Sequence, residues 1–191
     1  MVENTFENQI YSKNVIEFIT VANEYCAFVE KSVNFSKKDF VEKLQKLLPL
    51  IYLKATLLPK VETVCEDEIE KFVTESDWNF VYSGIKSKLG DSDTFIEILD
   101  PMAAEVDEPI ASNISENCAD IYQDLKDLIT TYKVCNNDSM NDALADCISN
   151  FEEYWGQRLV NTLRAIHFVK YNTDFDEENE NIENNDVNKI F

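Results

Sequence analysis

Apolar residues recur at helical spacing over long stretches of this chain. Between residues 11 and 33 the i, i+3, i+4, i+7 pattern places nine apolar side chains on one helical face. Only three glycines and four prolines interrupt the 191 residues, which is too few to supply the turns of a many-stranded sheet. These two features predict an all-α fold.

The same periodicity predicts five main helices, at about residues 8–33, 36–58, 75–89, 112–134 and 140–171. Ser36 and Thr74 each precede an aspartate by three residues, a spacing typical of capped helix starts. Gly90 stands where a helix C-terminus favours glycine. We expect these helices to form an irregular bundle.

The second predicted helix has two unusual features. Pro49 lies inside it, and a proline in a helix interior removes a hydrogen-bond donor, so we expect a kink or two shorter helices. Leu50, Leu53 and Leu57 make this helix apolar on nearly all sides. A helix of that kind is expected at the centre of the bundle.

Two segments between the helices lack helical periodicity. Residues 61–71 are acidic and are interpreted as a connector containing at most one helical turn. Residues 91–110 contain several apolar side chains but are interrupted by Pro101 and Pro109. We expect a one-turn helix or a packed loop there.

The chain ends in a strongly acidic segment. Residues 172–191 contain seven acidic residues and one lysine, a net charge of −6, with few apolar residues to offset the entropy of ordering. We therefore predict a single helical domain over 1–171 and a disordered acidic tail over 172–191. Its last apolar residues form a candidate binding motif: Val187, Ile190 and Phe191.

Charge and composition exclude several classes of function. The net charge of −20 would repel a phosphate backbone, so direct nucleic-acid binding is not expected. The N-terminal residues lack a secretory signal, and no apolar run approaches the ~20 residues that span a bilayer, which predicts a cytoplasmic protein without membrane contact. Five cysteines without a CxxC pair indicate reduced thiols rather than disulfides or zinc.

One segment has the opposite charge. Residues 31–60 contain seven lysines and two acidic residues, a net charge of +5. We interpret this excess chiefly as balance against neighbouring acidic helices, with a docking patch as the alternative.

Acidic side chains recur at one-turn spacing in SENCADIYQDLKD, residues 115–127, and again in the last helix. At about 100° per residue they point away from the apolar stripes, so we interpret both sets, Asp127 included, as solvated faces. The alternative is a magnesium site in a helical hydrolase, with carboxylates drawn from both helices. Its ligands would come from Glu116, Asp120, Asp124, Asp142, Asp146 and Glu153.

Other catalytic arrangements lack their residues. The single histidine, His167, excludes a carboxylate-bridged di-iron centre, which needs two. Three cysteines lie on or beside apolar stripes, where burial raises a thiol pKa. We therefore predict no catalytic residue and no cofactor. Four side chains around Gly156, a residue expected to let a neighbouring helix approach, form a candidate pocket or interface: Trp155, Gln157, Arg158 and Asn161.

Five segments together resemble an uncharacterised bacterial family known only as a domain of unknown function. They are NEYCAFVE (23–30), LQKLLPLIYLKA (44–55), ESDWNFV (75–81), SENCADIYQDLKD (115–127) and NFEEYWGQRLVN (150–161). The resemblance covers about residues 10–171. It implies a bacterial, all-helical, single-domain protein and carries over no site residue.

These observations favour a non-enzymatic protein-binding or adaptor domain whose partner is another protein. The first alternative is the magnesium-dependent hydrolase described above. The second is an inhibitor whose acidic surface mimics nucleic acid and occupies a basic protein, which would make its association strongly salt-dependent.

Overall fold

The computed structural model describes residues 9–65, 69–97 and 110–171 of the chain. Its helices are α1 (Lys13–Val29), α2 (Lys37–Ala55), α3 (Glu75–Leu89), α4 (Ile114–Val134), α5 (Asn137–Asn150) and α6 (Gly156–Tyr171). A π-helical turn over Phe151–Trp155 joins α5 to α6, so the last two helices form the single long helix that the periodicity predicted. The predicted all-α fold is confirmed.

The predicted helix starts are capped as expected. The Ser36 hydroxyl accepts a hydrogen bond from the Asp39 backbone N–H at 3.0 Å. Thr74 and Asp77 form a reciprocal capping box at the start of α3. Each cap of this kind contributes about 1 kcal/mol of stability because it satisfies a backbone donor that the helix leaves unpaired.

Helix α2 is unbroken from Lys37 to Ala55, with Pro49 inside it, which excludes the two shorter helices, and the kink stays a prediction. Gly90 ends α3, as its position in the sequence predicted. Its φ of +56° is a conformation that favours glycine.

The centre of the bundle is α4, and the prediction that α2 would be central is wrong. Helix α4 packs against α1, α3, α5 and α6, whereas α2 packs against α1 and α6. The inward face of α4 is fully buried along its length, and the hydroxyl of buried Tyr25 donates to the Cys118 carbonyl at 2.9 Å. Leu50 and Leu53 lie on the outer side of α2, and Leu57 lies in the turn after it.

In the segment 91–110, where the sequence predicted a one-turn helix or a packed loop, the described residues form a 3₁₀ turn and two short strands, and residues 98–109 lie outside the described ranges. Strand β1 (Thr94–Glu97) pairs with β2 (Ile110–Asn113) in the register Thr94 to Asn113. A 3₁₀ turn over Gly90–Asp93 leads into β1, and buried Asp93 accepts the Ser115 backbone N–H at 2.8 Å. The start of α4 is thus capped by a residue from another segment.

The connector between α2 and α3 is not helical in the part that the structure describes, residues 56–65 and 69–74. It crosses the polar side of α4 and α5, where it receives the contacts described below. No helix within the described ranges is long and apolar enough to cross a membrane. The predicted tail, residues 172–191, lies outside the described residues.

Candidate functional site

Three acidic residues of α4 and α5 bind the connector between α2 and α3: Asp127, Asp142 and Asp146. Asp127 is only 5% exposed. The backbone N–H groups of Phe72 and Val73 both donate to its Oδ1 atom, each at 2.8 Å. A carboxylate that accepts two backbone hydrogen bonds in this way fixes the end of the connector against the centre of the bundle.

Asp142 of α5 plays the same role one helix away. It is 4% exposed and accepts the backbone N–H groups of Val64 at 2.7 Å and Cys65 at 2.9 Å. Burial raises the pKa of Asp142, but these hydrogen bonds outweigh it and hold the pKa below its ordinary value. Asn141 adds a bond from its amide to the Glu62 carbonyl at 2.7 Å. The interpretation of solvated faces is therefore wrong for Asp127 and Asp142.

A second group of acids lies between these two clamps. Lys71 forms a salt bridge with Asp146 at 2.7 Å, and the Asn150 amide donates to Asp124 at 2.8 Å. Burial raises the pKa of Asp124 to about 6. The connector lysine therefore holds α5 through charge, as Asp127 and Asp142 hold the connector through its backbone.

Asp120 joins three helices at the end of this row. It accepts the Trp78 indole N–H at 3.0 Å and the Tyr154 hydroxyl at 2.8 Å, and its Oδ2 atom lies 3.5 Å from Arg158 Nε. Burial and the hydrogen bond to Asp120 raise the pKa of Tyr154 to about 12. Tyr154 is a protonated donor at neutral pH, and the cluster links α3, α4 and α6 together with the π turn.

The structure distributes the six carboxylates of the magnesium alternative among separate partners. Glu116 and Glu153 are exposed, and the other four make the contacts described above. Across residues 9–65, 69–97 and 110–171, no three histidine, cysteine or acidic side chains are grouped so that they could hold a metal ion. Asp127, Asp142 and Asp146 act as a structural clamp on the connector.

The four residues of the predicted pocket have different surroundings. Trp155 is fully buried and donates its indole N–H to the Cys147 carbonyl at 3.2 Å. Gln157 is exposed. Arg158 donates to Asn117 at 2.8 Å, and the Asn161 amide donates to Glu97 of β1 at 2.9 Å. The pocket stays a prediction, and the candidate tail motif (Val187, Ile190, Phe191) lies outside the described residues.

Gly156 makes room within its own helix. A Cβ atom at this position would meet the carbonyl oxygen of Phe151, five residues earlier, and would lie 2.9 Å from two carbons of its ring. The Gly156 backbone N–H donates to the Phe151 carbonyl, the i to i+5 bond of the π turn. The expectation that Gly156 admits a neighbouring helix stays a prediction.

The lysines of residues 31–60 have two kinds of surroundings. Lys54 of α2 forms a salt bridge with Glu17 of α1 at 2.6 Å, which is the charge balance that the sequence favoured. Lys31, Lys43 and Lys46 instead line a groove of about 470 Å³ between α1 and α2. Within the described chain no salt bridge joins these three lysines to a carboxylate, although Glu24 lies at the rim.

Aromatic rings form the floor of this groove. Phe28 stacks on Phe40 with ring centroids 5.0 Å apart, and it contacts Phe35 at 5.1 Å. The Lys43 ammonium lies 4.0 Å from the centre of the Phe35 ring, a cation–π contact. The groove therefore combines positive charge at its sides with an apolar base.

The outer face of α2 continues this groove toward the helix C-terminus. Leu50, Leu53 and Leu57 are 39%, 53% and 45% exposed. With Lys43 and Lys46, Leu50 and Leu53 follow the spacing 3, 4, 3, which places these four on one side of α2, and Leu57 follows in the turn after the helix ends at Ala55. We call these five residues the docking face.

The protein is thus an all-α bundle with a small β hairpin. Acidic side chains of α4 and α5 hold the connector between α2 and α3, and the docking face is exposed. A family model for a domain of unknown function, DUF5063, matches residues 9–172, and the chain belongs to this family. The resemblance noted in the sequence is confirmed.

One solved structure shares this fold. It is the crystal structure of protein BF1032 from Bacteroides fragilis, which is 45% identical to this chain, with a TM-score of 0.77. The alignment covers 85% of this chain and 96% of the Bacteroides chain. No curated protein matches the sequence.

Proposed function

We propose that this chain is a non-enzymatic, cytoplasmic protein-binding domain, and that it binds a partner protein through the docking face. The observation that carries the proposal is the exposure of Leu50, Leu53 and Leu57 beside two lysines of α2. Aligned apolar side chains exposed at helical spacing are typical of surfaces that receive another protein segment.

The charge of the groove specifies the partner's chemistry. Lys31, Lys43 and Lys46 are close together in a chain of net charge −20. At physiological salt a charge is screened beyond about 8 Å, so a bound segment interacts mainly with these lysines and little with distant acids. The segment that fits is acidic at one end, over the lysines, and apolar at the other, over the leucines.

The test is affinity capture from a lysate of the native host, with three full-length chains compared by quantitative mass spectrometry. The first is the wild type, and the second carries Leu50→Glu and Leu53→Glu on the docking face. The third carries Phe80→Glu and Val160→Glu, which add the same charge at apolar residues exposed elsewhere, at 59% and 47%. All three should show the same helix content by circular dichroism.

We expect a stoichiometric partner with the wild type and the control variant, and its loss with the docking-face variant. A synthetic peptide from the captured protein, containing its acidic and apolar segment, should then bind more weakly as salt rises. A partner that survives Leu50→Glu and Leu53→Glu unchanged, or no partner for any chain, would refute the proposal.

A further inference from the structure

We propose that residues 172–191 of the same chain dock on the lysine groove and the docking face, and so compete with a partner for α2. The segment carries six more acidic than basic charges, which complements the three lysines of the groove. The competition with a partner rests on the proposed function, whereas the docking in cis does not.

The end of α6 delivers this segment to the groove. Lys170, the residue before the end of α6, bonds to Glu42 of α2. The hydrogen bond from Lys170 is the main reason that the pKa of Glu42 lies below its ordinary value, and the nearby charge of Lys46 contributes. The last turn of α6 therefore contacts α2 at Glu42, one helical turn before Lys46.

The order of residues in the segment matches the order of residues on α2. Five of the seven acidic residues lie from Asp174 to Glu180, Glu183 and Asp186 follow, and the candidate motif ends the chain: Val187, Ile190 and Phe191. On α2 the lysines come first and the leucines follow toward the C-terminus. A segment running from Tyr171 along α2 thus places acids over lysines and apolar side chains over leucines.

The segment is also long enough. The segment has to span the docking face from Lys46 to Leu57, which are 11 positions apart in the sequence. At 1.5 Å per residue this is about 16 Å along the direction of α2. The 20 residues after Tyr171 reach about 66 Å when fully extended. Length therefore sets no obstacle, even if part of the segment is helical.

The test uses the full chain with a photo-crosslinking amino acid, p-benzoylphenylalanine, in place of Phe191. After irradiation we expect an intramolecular product of monomer mass, with the crosslink mapped by mass spectrometry to the α2 peptide that contains Leu50, Leu53 and Leu57. The same chain with Leu50→Glu and Leu53→Glu should lose most of this product. The Phe80→Glu and Val160→Glu control should retain it.

A second measurement follows competition directly. The probe is a fluorescent synthetic peptide of residues 172–191, added to the wild type and to a full chain with Val187→Ser, Ile190→Ser and Phe191→Ser. If the attached segment occupies the face about 90% of the time, the probe binds the serine variant about tenfold more tightly. Equal affinity for both chains, or crosslinks scattered over other helices, would overturn the inference.

The two proposals fail separately. Capture of a partner that depends on the docking face, without an intramolecular crosslink to α2, overturns the cis docking and leaves the binding function intact. A crosslink to α2 with no partner captured by the serine variant supports the cis docking and overturns the binding function.

Discussion

The clamp at Asp127 gives the sharpest test of how this fold is held together. Asp127→Ala removes the only oxygen that accepts the N–H groups of Phe72 and Val73 among the described contacts. A buried donor left without a partner costs about 1–3 kcal/mol. Because Phe72 and Val73 are only half-buried, water can reach them in part, and we expect about 2–4 kcal/mol in total.

Asp127→Asn separates geometry from charge. The amide oxygen can still accept both bonds, but it carries no charge, and a neutral hydrogen bond is weaker than a charged one by about 1 kcal/mol. We therefore expect a loss of about 1–2 kcal/mol for Asp127→Asn. Glu116→Ala, at an exposed acid of the same helix, should change stability by less than about 0.5 kcal/mol.

The assay is urea unfolding followed by circular dichroism at neutral pH, combined with amide hydrogen exchange of the connector. The exchange of the Phe72 and Val73 N–H groups should accelerate in Asp127→Ala more than that of α2 backbone groups. An Asp127→Ala protein that loses less than about 1 kcal/mol, with unchanged exchange at these two groups, would refute the clamp.

Three further results are expected. The pKa of Asp124 is about 6 instead of 3.8 because burial disfavours its charge, so Asp124 lowers stability as pH rises from about 4 to about 6. Asp124→Asn should therefore stabilise the protein by about 1–2 kcal/mol at about pH 7 and have little effect near pH 4 in urea unfolding. Gly156→Ala should destabilise the protein by about 1–3 kcal/mol, because the added methyl group meets the Phe151 ring. The same change in a regular helix stabilises, so a lower melting temperature in thermal unfolding supports the contact and a higher one contradicts it. A thiol reagent followed by mass spectrometry should label exposed Cys65 first and half-buried Cys135 second, ahead of three buried cysteines whose pKa values are raised by burial: Cys26, Cys118 and Cys147.

Helices could be predicted from this sequence because each has its own periodicity and caps. The Thr74 capping box and the Gly90 stop are local signals, and both are found in the structure. The β hairpin could not be predicted in this way, because each strand has only four residues and its partner lies beyond two prolines. Pairing between distant short strands leaves no periodic pattern in either one.

The role of Asp127 could not be predicted from the sequence for a related reason. The angle of Asp127 on α4 is correct, since it does point away from the main apolar stripe. The polar side of α4 is covered, however, by a connector without secondary structure, whose backbone N–H groups need acceptors. Helical geometry reveals which face a side chain occupies, but not which segment from elsewhere in the chain crosses that face.

The lysine segment was predicted in part. Charge balance accounts for Lys54, which meets Glu17. The docking-patch alternative requires unbalanced lysines beside apolar surface, and Lys43 and Lys46 occupy such a position next to Leu50. Counting charges along the chain could not separate these groups, because the difference depends on where α1 and its acids lie around α2.

The π turn over Phe151–Trp155 sets the rotational phase of everything that follows it. One residue more or less in a helix rotates all later side chains by about 100°. A π turn, however, holds one residue more than an α turn, so deleting one residue between Phe151 and Trp155 would restore a regular helix and leave the buried positions of α6, such as Leu159 and Ile166, facing the core. Relatives of this protein should therefore tolerate the loss of one residue within the π turn, and otherwise keep the spacing from α5 to α6 constant.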